Sequence, residues 1–254
     1  MFLDPSVALT WEKLPPAYSR SLSTSTVSVF RLPCAGRLPD GIVQQHYVNN
    51  TDTDTQAMIF RLDPRKELVL AIPGTASIKD WDTDNDLRLV EYTDPKAWKS
   101  IQDEVERELA SSLETHPDYT VTTVGHSLGG ALSELAFGSL GPKPLNVTQV
   151  ITHGAPRVGN MGFADYFDRL AGATDANPGI SYRVTHWNDL VPHLYPFLLG
   201  SIHPRTEYFQ SSDTPDAATT YRCYGYEAMD CAFGQQASLV SQAHLSYAAM
   251  KSSC

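Results

Sequence analysis

The stretch from Thr120 to Leu140, TVTTVGHSLGGALSELAFGSL, constrains the fold of this chain more than any other. The β-branched run Val121, Thr122, Thr123 and Val124 suits a strand, whereas Ala131 to Leu140, rich in Ala, Leu and Glu, suits a helix. Between them Gly125-His126-Ser127-Leu128-Gly129 satisfies G-x-S-x-G. A strand that turns abruptly into a helix leaves no room for side chains two residues either side of the turn. Glycine there lets the backbone tighten and lifts the Ser127 hydroxyl clear of the sheet. The helix that follows directs its free N–H groups and positive dipole end at the place where an oxyanion would form. As a bare pattern G-x-S-x-G is weak. Its place between a predicted strand and a predicted helix makes a nucleophile elbow the better reading than an idle Gly-rich turn.

The rest of the chain supplies strands and helices in alternation. Gln56–Leu62 and Glu67–Ile72 read as two strands joined by the turn Asp63-Pro64-Arg65-Lys66. Lys96–Thr115 reads as a helix, with Ala97, Ile101, Val105, Leu109 and Leu113 recurring every four residues above a charged face. Val147–Thr152, Ser181–His186 and Thr206–Gln210 are further strands, Asn160–Leu170 is a short helix, and Leu239–Met250 a C-terminal helix. Such alternation predicts an α/β fold, a central mostly parallel sheet with helices on both faces. The 254 residues suffice for one domain spanning 1–254, with residues 1–33 as a loosely patterned lead-in.

Composition narrows the function. A formal charge of −10 with no basic run argues against nucleic-acid binding, and no apolar stretch is long enough to cross a membrane as a helix. The first residues, MFLDPSVALTWEKLPP, lack the pattern of a signal peptide. The four cysteines, Cys34, Cys223, Cys231 and Cys254, form no C-x-x-C pair. Zinc or thiol redox chemistry is therefore not expected, and no cofactor or metal is called for; disulfides in a secreted protein are, in any of three pairings. The sequons at Asn49 and Asn146 agree with secretion.

A serine hydroxyl becomes a nucleophile only when a base takes its proton, and the base needs an acid to orient it. In α/β-hydrolases the order along the chain is Ser, Asp/Glu, His. Asp189 stands just past the strand SYRVTH, where the acid belongs, whereas Asp165, Asp168 and Asp175 lie on or after a helix and read as solvated surface groups. Beyond His193 the candidate bases are His203 and His244, and His244, nearer the C-terminus, fits the order better. The backbone N–H of Leu128, directly after Ser127, is one expected oxyanion donor. Thr75, in the loop after an earlier strand, is the other.

Several separate motifs, in order from about Phe30 to Cys254, resemble the fungal class 3 lipase family, which also contains feruloyl esterases. Ile72-Pro73-Gly74-Thr75 resembles the family's F-R-G-T/S oxyanion loop and Ser77-Ile78-Lys79-Asp80-Trp81 its S-I-x-x-W lid start. His116-Pro117-Asp118-Tyr119 and Val124–Gly130 resemble the approach to the elbow. His153-Gly154-Ala155-Pro156-Arg157-Val158-Gly159-Asn160 resembles F/Y-G-x-P-R-x-G-N, and His186-Trp187-Asn188-Asp189-Leu190-Val191-Pro192 the acid motif H-x-N-D-x-V-P. Glu207-Tyr208-Phe209 resembles E-Y-W/F, and Ala243-His244 the final A/D-H. The resemblance implies an α/β-hydrolase fold and a Ser127–His244–Asp189 triad, the residues that spacing selects. It also implies the disulfides Cys34–Cys254 and Cys223–Cys231, which in the chain-entropy model stabilise by on the order of 5 and roughly 2.5 kcal/mol.

Three departures stand out. Pro73 replaces an arginine, Arg205 stands where the family often has glycine, and the V-H-x-G-F segment that links lid to long helix has no counterpart between Tyr92 and Lys96. The candidate lid, residues 76–92, mixes apolar Ile78, Trp81, Leu87 and Leu89 with five acidic groups. Leu194–Leu199 reads equally as an acyl groove or as core. The expected activity is a secreted lipase that hydrolyses acylglycerols, at a lipid–water interface if the lid responds to one. A feruloyl-esterase-like hydrolase of soluble esters and a catalytically silent binding protein of the same fold are the alternatives.

Overall fold

The computed structural model describes residues 41–74, 96–236, 242–247 and 250–251. Its frame is an eight-stranded sheet whose spatial order follows chain order. Strands β1 (Ile42–Asn50), β2 (Thr55–Leu62) and β3 (Glu67–Ile72) are antiparallel neighbours. From β3 the sheet continues in parallel through β4 (Thr120–His126), β5 (Val147–His153), β6 (Ser181–His186) and β7 (Glu207–Gln210). Strand β8 (Thr220–Cys223) pairs antiparallel with β7 at the edge. The mostly parallel sheet expected from the sequence is present.

The central strands read as continuous apolar runs because both of their faces are covered. Along β3, Leu68, Leu70 and Ile72 pack with Trp98, Ile101, Val105 and Leu109 of helix α1 (Lys96–Thr115) and with Leu132, Ala136 and Leu140 of helix α2 (Leu128–Leu140). The alternate residues Val69 and Ala71 face the other way, into a cluster with Phe60, Val124, Ile151, Val184 and Tyr247. Helix α3 (Met161–Ala171) docks on α2 through Phe163 and Phe167 against Phe137. It is capped by the Asn160 side chain, which accepts the Phe163 amide at 3.1 Å. Among the described residues no helix is long and apolar enough to cross a membrane.

Three sequence expectations need correction. Leu239–Met250 is not a helix where it is described: Gln242–Leu245 forms a 3-10 turn, and β9 (Ser246–Tyr247) pairs antiparallel with β10 (Met250–Lys251). The pull of buried side-chain partners on this segment outweighs its helical propensity. Asp168 is not a surface group: it is buried on α3 and accepts the backbone N–H of Arg205. Of the two readings of Leu194–Leu199, core is overturned, because its tip at Phe197, Leu198 and Leu199 is exposed. The edge strands β1 and β8 carry no strong periodic signal, and the sequence reading missed both. The Cys223–Cys231 disulfide is formed, with Cα atoms 6.3 Å apart. The 1–33 lead-in, the 76–92 candidate lid, Thr75 and the Cys34–Cys254 pair lie outside the described residues.

Helix α2 carries a buried acid, Glu134, only 1% exposed. Desolvation drives its carboxyl up to about 8, against the opposing charge of Arg183. A carboxyl whose folded value lies above its ordinary 4.5 binds a proton that the unfolded chain has released. Stability from this site is therefore full below pH 4.5 and falls as pH rises towards 8. Glu134→Gln, which keeps the shape of the neutral acid, should raise the melting temperature at pH 9 by roughly 3 °C or more and leave it nearly unchanged at pH 4. Equal effects at the two pH values in a thermal melt would contradict this.

Candidate active site

Ser127 sits between β4 and α2 with φ 57° and ψ −131°. That conformation is strained for any residue with a side chain and is typical of a nucleophile elbow. The glycines around it are dictated by space. A Cβ on Gly125 would lie 2.1 Å from the Gly129 carbonyl oxygen, and one on Gly129 would lie 2.1 Å from the Ile72 carbonyl oxygen at the end of β3. The Ser127 amide donates to the His153 carbonyl at 2.9 Å, and its own carbonyl accepts from Gly130 at 2.9 Å. Gly74 presses on the elbow, so the end of the β3 loop and the start of α2, where Leu128 is the first residue, meet at Ser127. Thr75, the next residue, is not described.

Asp189 follows β6 after Trp187, whose φ is 45°. Its carboxylate is 2% exposed and fully engaged. Oδ1 accepts the Val191 amide at 2.9 Å, while Oδ2 accepts His244 Nδ1 at 2.9 Å and the Tyr247 hydroxyl. His244, on the Gln242–Leu245 turn, stacks against His126 with ring centroids 4.5 Å apart. With Nδ1 directed at the carboxylate, His244 is left to exchange protons through Nε2, the protonation pattern a general base needs. The structure thus brings Asp189 and His244 together and sets both beside the residue that precedes Ser127. His203, the rejected base, is buried elsewhere, with Nε2 2.9 Å from the Pro192 carbonyl oxygen.

Sequence reasoning missed three groups here. Tyr247 is fully buried and donates to Asp189, and burial first, then the adjacent carboxylate, holds its phenol well above the ordinary value. The spacing His244–Tyr247 is its only signal. Arg157 and Glu227 form a buried bidentate pair at 2.8 Å on both arms, and Arg157 also donates to the His193 carbonyl at 2.8 Å. Burial works against the Glu227 charge, yet the Arg157 guanidinium holds the carboxylate down to about 2. His153 lies under the elbow, where burial and then His126 push its imidazole down to about 3.

A family model for class 3 lipases matches residues 69–199. The chain belongs to the class 3 lipase family. Secreted mono- and diacylglycerol lipase A of Penicillium cyclopium is 31% identical over 187 residues, 70% of this chain and 58% of the fungal protein. The lipase of Rhizomucor miehei is 32% identical over 194 residues, 70% of this chain and 51% of its own. The chain therefore spans little more than half the length of these curated relatives. Among solved structures, one described as a triacylglycerol lipase whose catalytic centre is a serine protease triad superposes with a TM-score of 0.77 at 25% identity, covering 92% of this chain and 95% of that one.

In this lipase-family chain the Arg157–Glu227 pair links both ends of the loop 190–204 to the disulfide loop, since Arg157 donates to the His193 carbonyl and Glu227 accepts the His203 amide at 3.0 Å. Removing one partner leaves an uncompensated buried charge. Glu227→Met or Arg157→Met should cost about 3–5 kcal/mol in urea unfolding, and the double Met variant less than the two single losses added. Single variants as stable as wild type would remove the pair from the account.

Proposed function

We propose that this protein is a secreted serine hydrolase of carboxylic esters, acting on acylglycerols, with Ser127, His244 and Asp189 as its catalytic triad. The observation that carries the reading is the buried Asp189–His244 hydrogen bond, set beside a serine held in strained elbow geometry. Ser127 Oγ attacks the ester carbonyl carbon as its proton passes to His244 Nε2. The tetrahedral oxyanion is held by the Leu128 N–H and, after β3, by Thr75. The ester C–O bond then breaks, and the imidazolium gives its proton to the departing alcohol. Water attacks the acyl-enzyme by the same route, releasing the carboxylic acid and restoring Ser127. Asp189 orients His244 and steadies the imidazolium throughout.

Acylglycerols are favoured by the loop after Asp189. Phe197, Leu198 and Leu199 are exposed in sequence, Leu198 at 92%. The loop leaves the C-terminal end of β6, the same end of the parallel sheet at which Ser127 follows β4. The Phe197 ring packs edge-on against Phe233 at 5.5 Å, which steadies the tip. An apolar tip on the loop that follows Asp189 suits contact with aggregated lipid. Relatives named as secreted and the Cys223–Cys231 disulfide support an oxidising, extracellular setting.

Purified protein should hydrolyse p-nitrophenyl esters, with Ser127→Ala, Asp189→Asn and His244→Ala each lowering kcat by roughly 10³-fold or more in folded samples. Near-wild-type turnover in any of them would break that residue's assignment. Leu198→Ser/Leu199→Ser should lower the rate on emulsified tributyrin several-fold while sparing a dissolved acetate ester. Equal effects on both would favour a hydrolase of soluble esters.

A further inference from the structure

The turn that carries His244 is gripped by two other imidazoles. His126, the last residue of β4, places Nε2 2.7 Å from the carbonyl oxygen of His244 itself. His186, the last residue of β6, places Nδ1 2.9 Å from the carbonyl oxygen of Ala243. Two strands thus hold successive carbonyls of one four-residue 3-10 turn, Gln242–Leu245. Such a turn has few hydrogen bonds of its own and poor geometry in those it makes. The other ring nitrogen of His186, Nε2, lies 2.9 Å from the Ser212 carbonyl oxygen; a neutral ring donates to one of these two carbonyls and only an imidazolium donates to both. Both rings also meet the Tyr247 ring edge-on, at 5.8 and 5.5 Å.

The bond from His244 Nδ1 to Asp189 acts on the imidazole, whereas the two carbonyl contacts act on the backbone that carries it. We propose that His126 and His186 are positioning residues that fix the backbone of the catalytic base relative to the nucleophile. The proposal rests on the reading of Ser127, His244 and Asp189 as a triad. Because a carbonyl only accepts, His126 donates from Nε2. Burial, followed by the neighbouring charge on His244, pushes its imidazole down to about 4, so the ring is neutral above that pH. His126 directly precedes Ser127, so one residue ties the nucleophile's strand to the base's turn.

The test replaces each ring with one of similar size that cannot donate, and with an amide that can. Gln carries its N–H₂ where His126 has Nε2, and Asn carries its own where His186 has Nδ1. On a dissolved p-nitrophenyl ester, His126→Phe and His186→Phe should lower kcat by roughly 10- to 100-fold with KM within about twofold, since a small displacement of the base slows chemistry more than binding. His126→Gln and His186→Asn should recover most of that loss. Phe variants within about twofold of the wild-type kcat, or amide variants as impaired as the Phe variants, overturn the proposal. If the Phe variants do not fold, the amide variants decide alone: kcat within about threefold of wild type supports the grip, and a loss beyond tenfold overturns it. Ser127→Ala is run in parallel. Turnover that survives Ser127→Ala overturns the triad reading and this proposal with it, whereas Ser127-dependent turnover confines any failure to the grip.

Discussion

Everything at the proposed catalytic end of this molecule hangs on the backbone of Ser127. A non-glycine residue at φ 57°, ψ −131° costs on the order of 1–3 kcal/mol and persists only where its surroundings leave no alternative. Here the surroundings are three parallel strands. The β3 carbonyl of Ile72 occupies the space a Gly129 side chain would need, and the end of β5 receives the Ser127 amide. The helix cannot slide away, because Leu132, Ala136 and Leu140 are committed to the core with α1. The position of the serine is therefore a property of the sheet and not of the loop that holds it.

Around this elbow the protein buries more charge and more imidazole than a simple core would. Arg157 with Glu227 and Arg183 with Glu207 are paired out of water, and Glu207 also accepts the Ala232 amide beside the disulfide. Taken alone, buried pairs are weak evidence of net stability, because desolvation offsets the attraction. Their effect here is geometric. They tie the loop after Asp189 and the Cys223–Cys231 loop to β5 and β6, so the acid is held by backbone that is itself held. The buried histidines have a thermodynamic side. His126 and His153, with folded values near 4 and 3, take up protons in the unfolded chain first, so stability falls as pH drops below their ordinary 6.5 towards those values.

Local rules made much of this legible in the sequence. The four-residue spacing of Ile101, Val105 and Leu109 gave a helix with the bounds Lys96–Thr115, and G-x-S-x-G between a β-branched run and an Ala-rich run located the elbow. Asp189 and His244 followed from chain order, and the structure hydrogen-bonds them. What stayed hidden depends on long-range partners. The C-terminal segment reads as a helix until the carbonyls of Ala243 and His244 are seen to be held by imidazoles from β4 and β6. Asp168 looks like a surface group until Arg205 folds back onto it. Tyr247 carries no motif, and its importance comes from a carboxylate 58 residues away in sequence. Among the described residues strand β1 is an exposed edge with one pairing partner, so its residues answer to solvent as much as to the sheet.

Held in this way by the packing of the sheet, Ser127 is proposed to be the activated serine. Covalent labelling with a fluorophosphonate, followed by peptide mass spectrometry, tests it most directly. The account predicts a single stoichiometric adduct on the peptide that contains Ser127, abolished by prior unfolding and greatly slowed in His244→Ala. A folded, disulfide-bonded protein that takes no label, or that carries it on another serine, would contradict it.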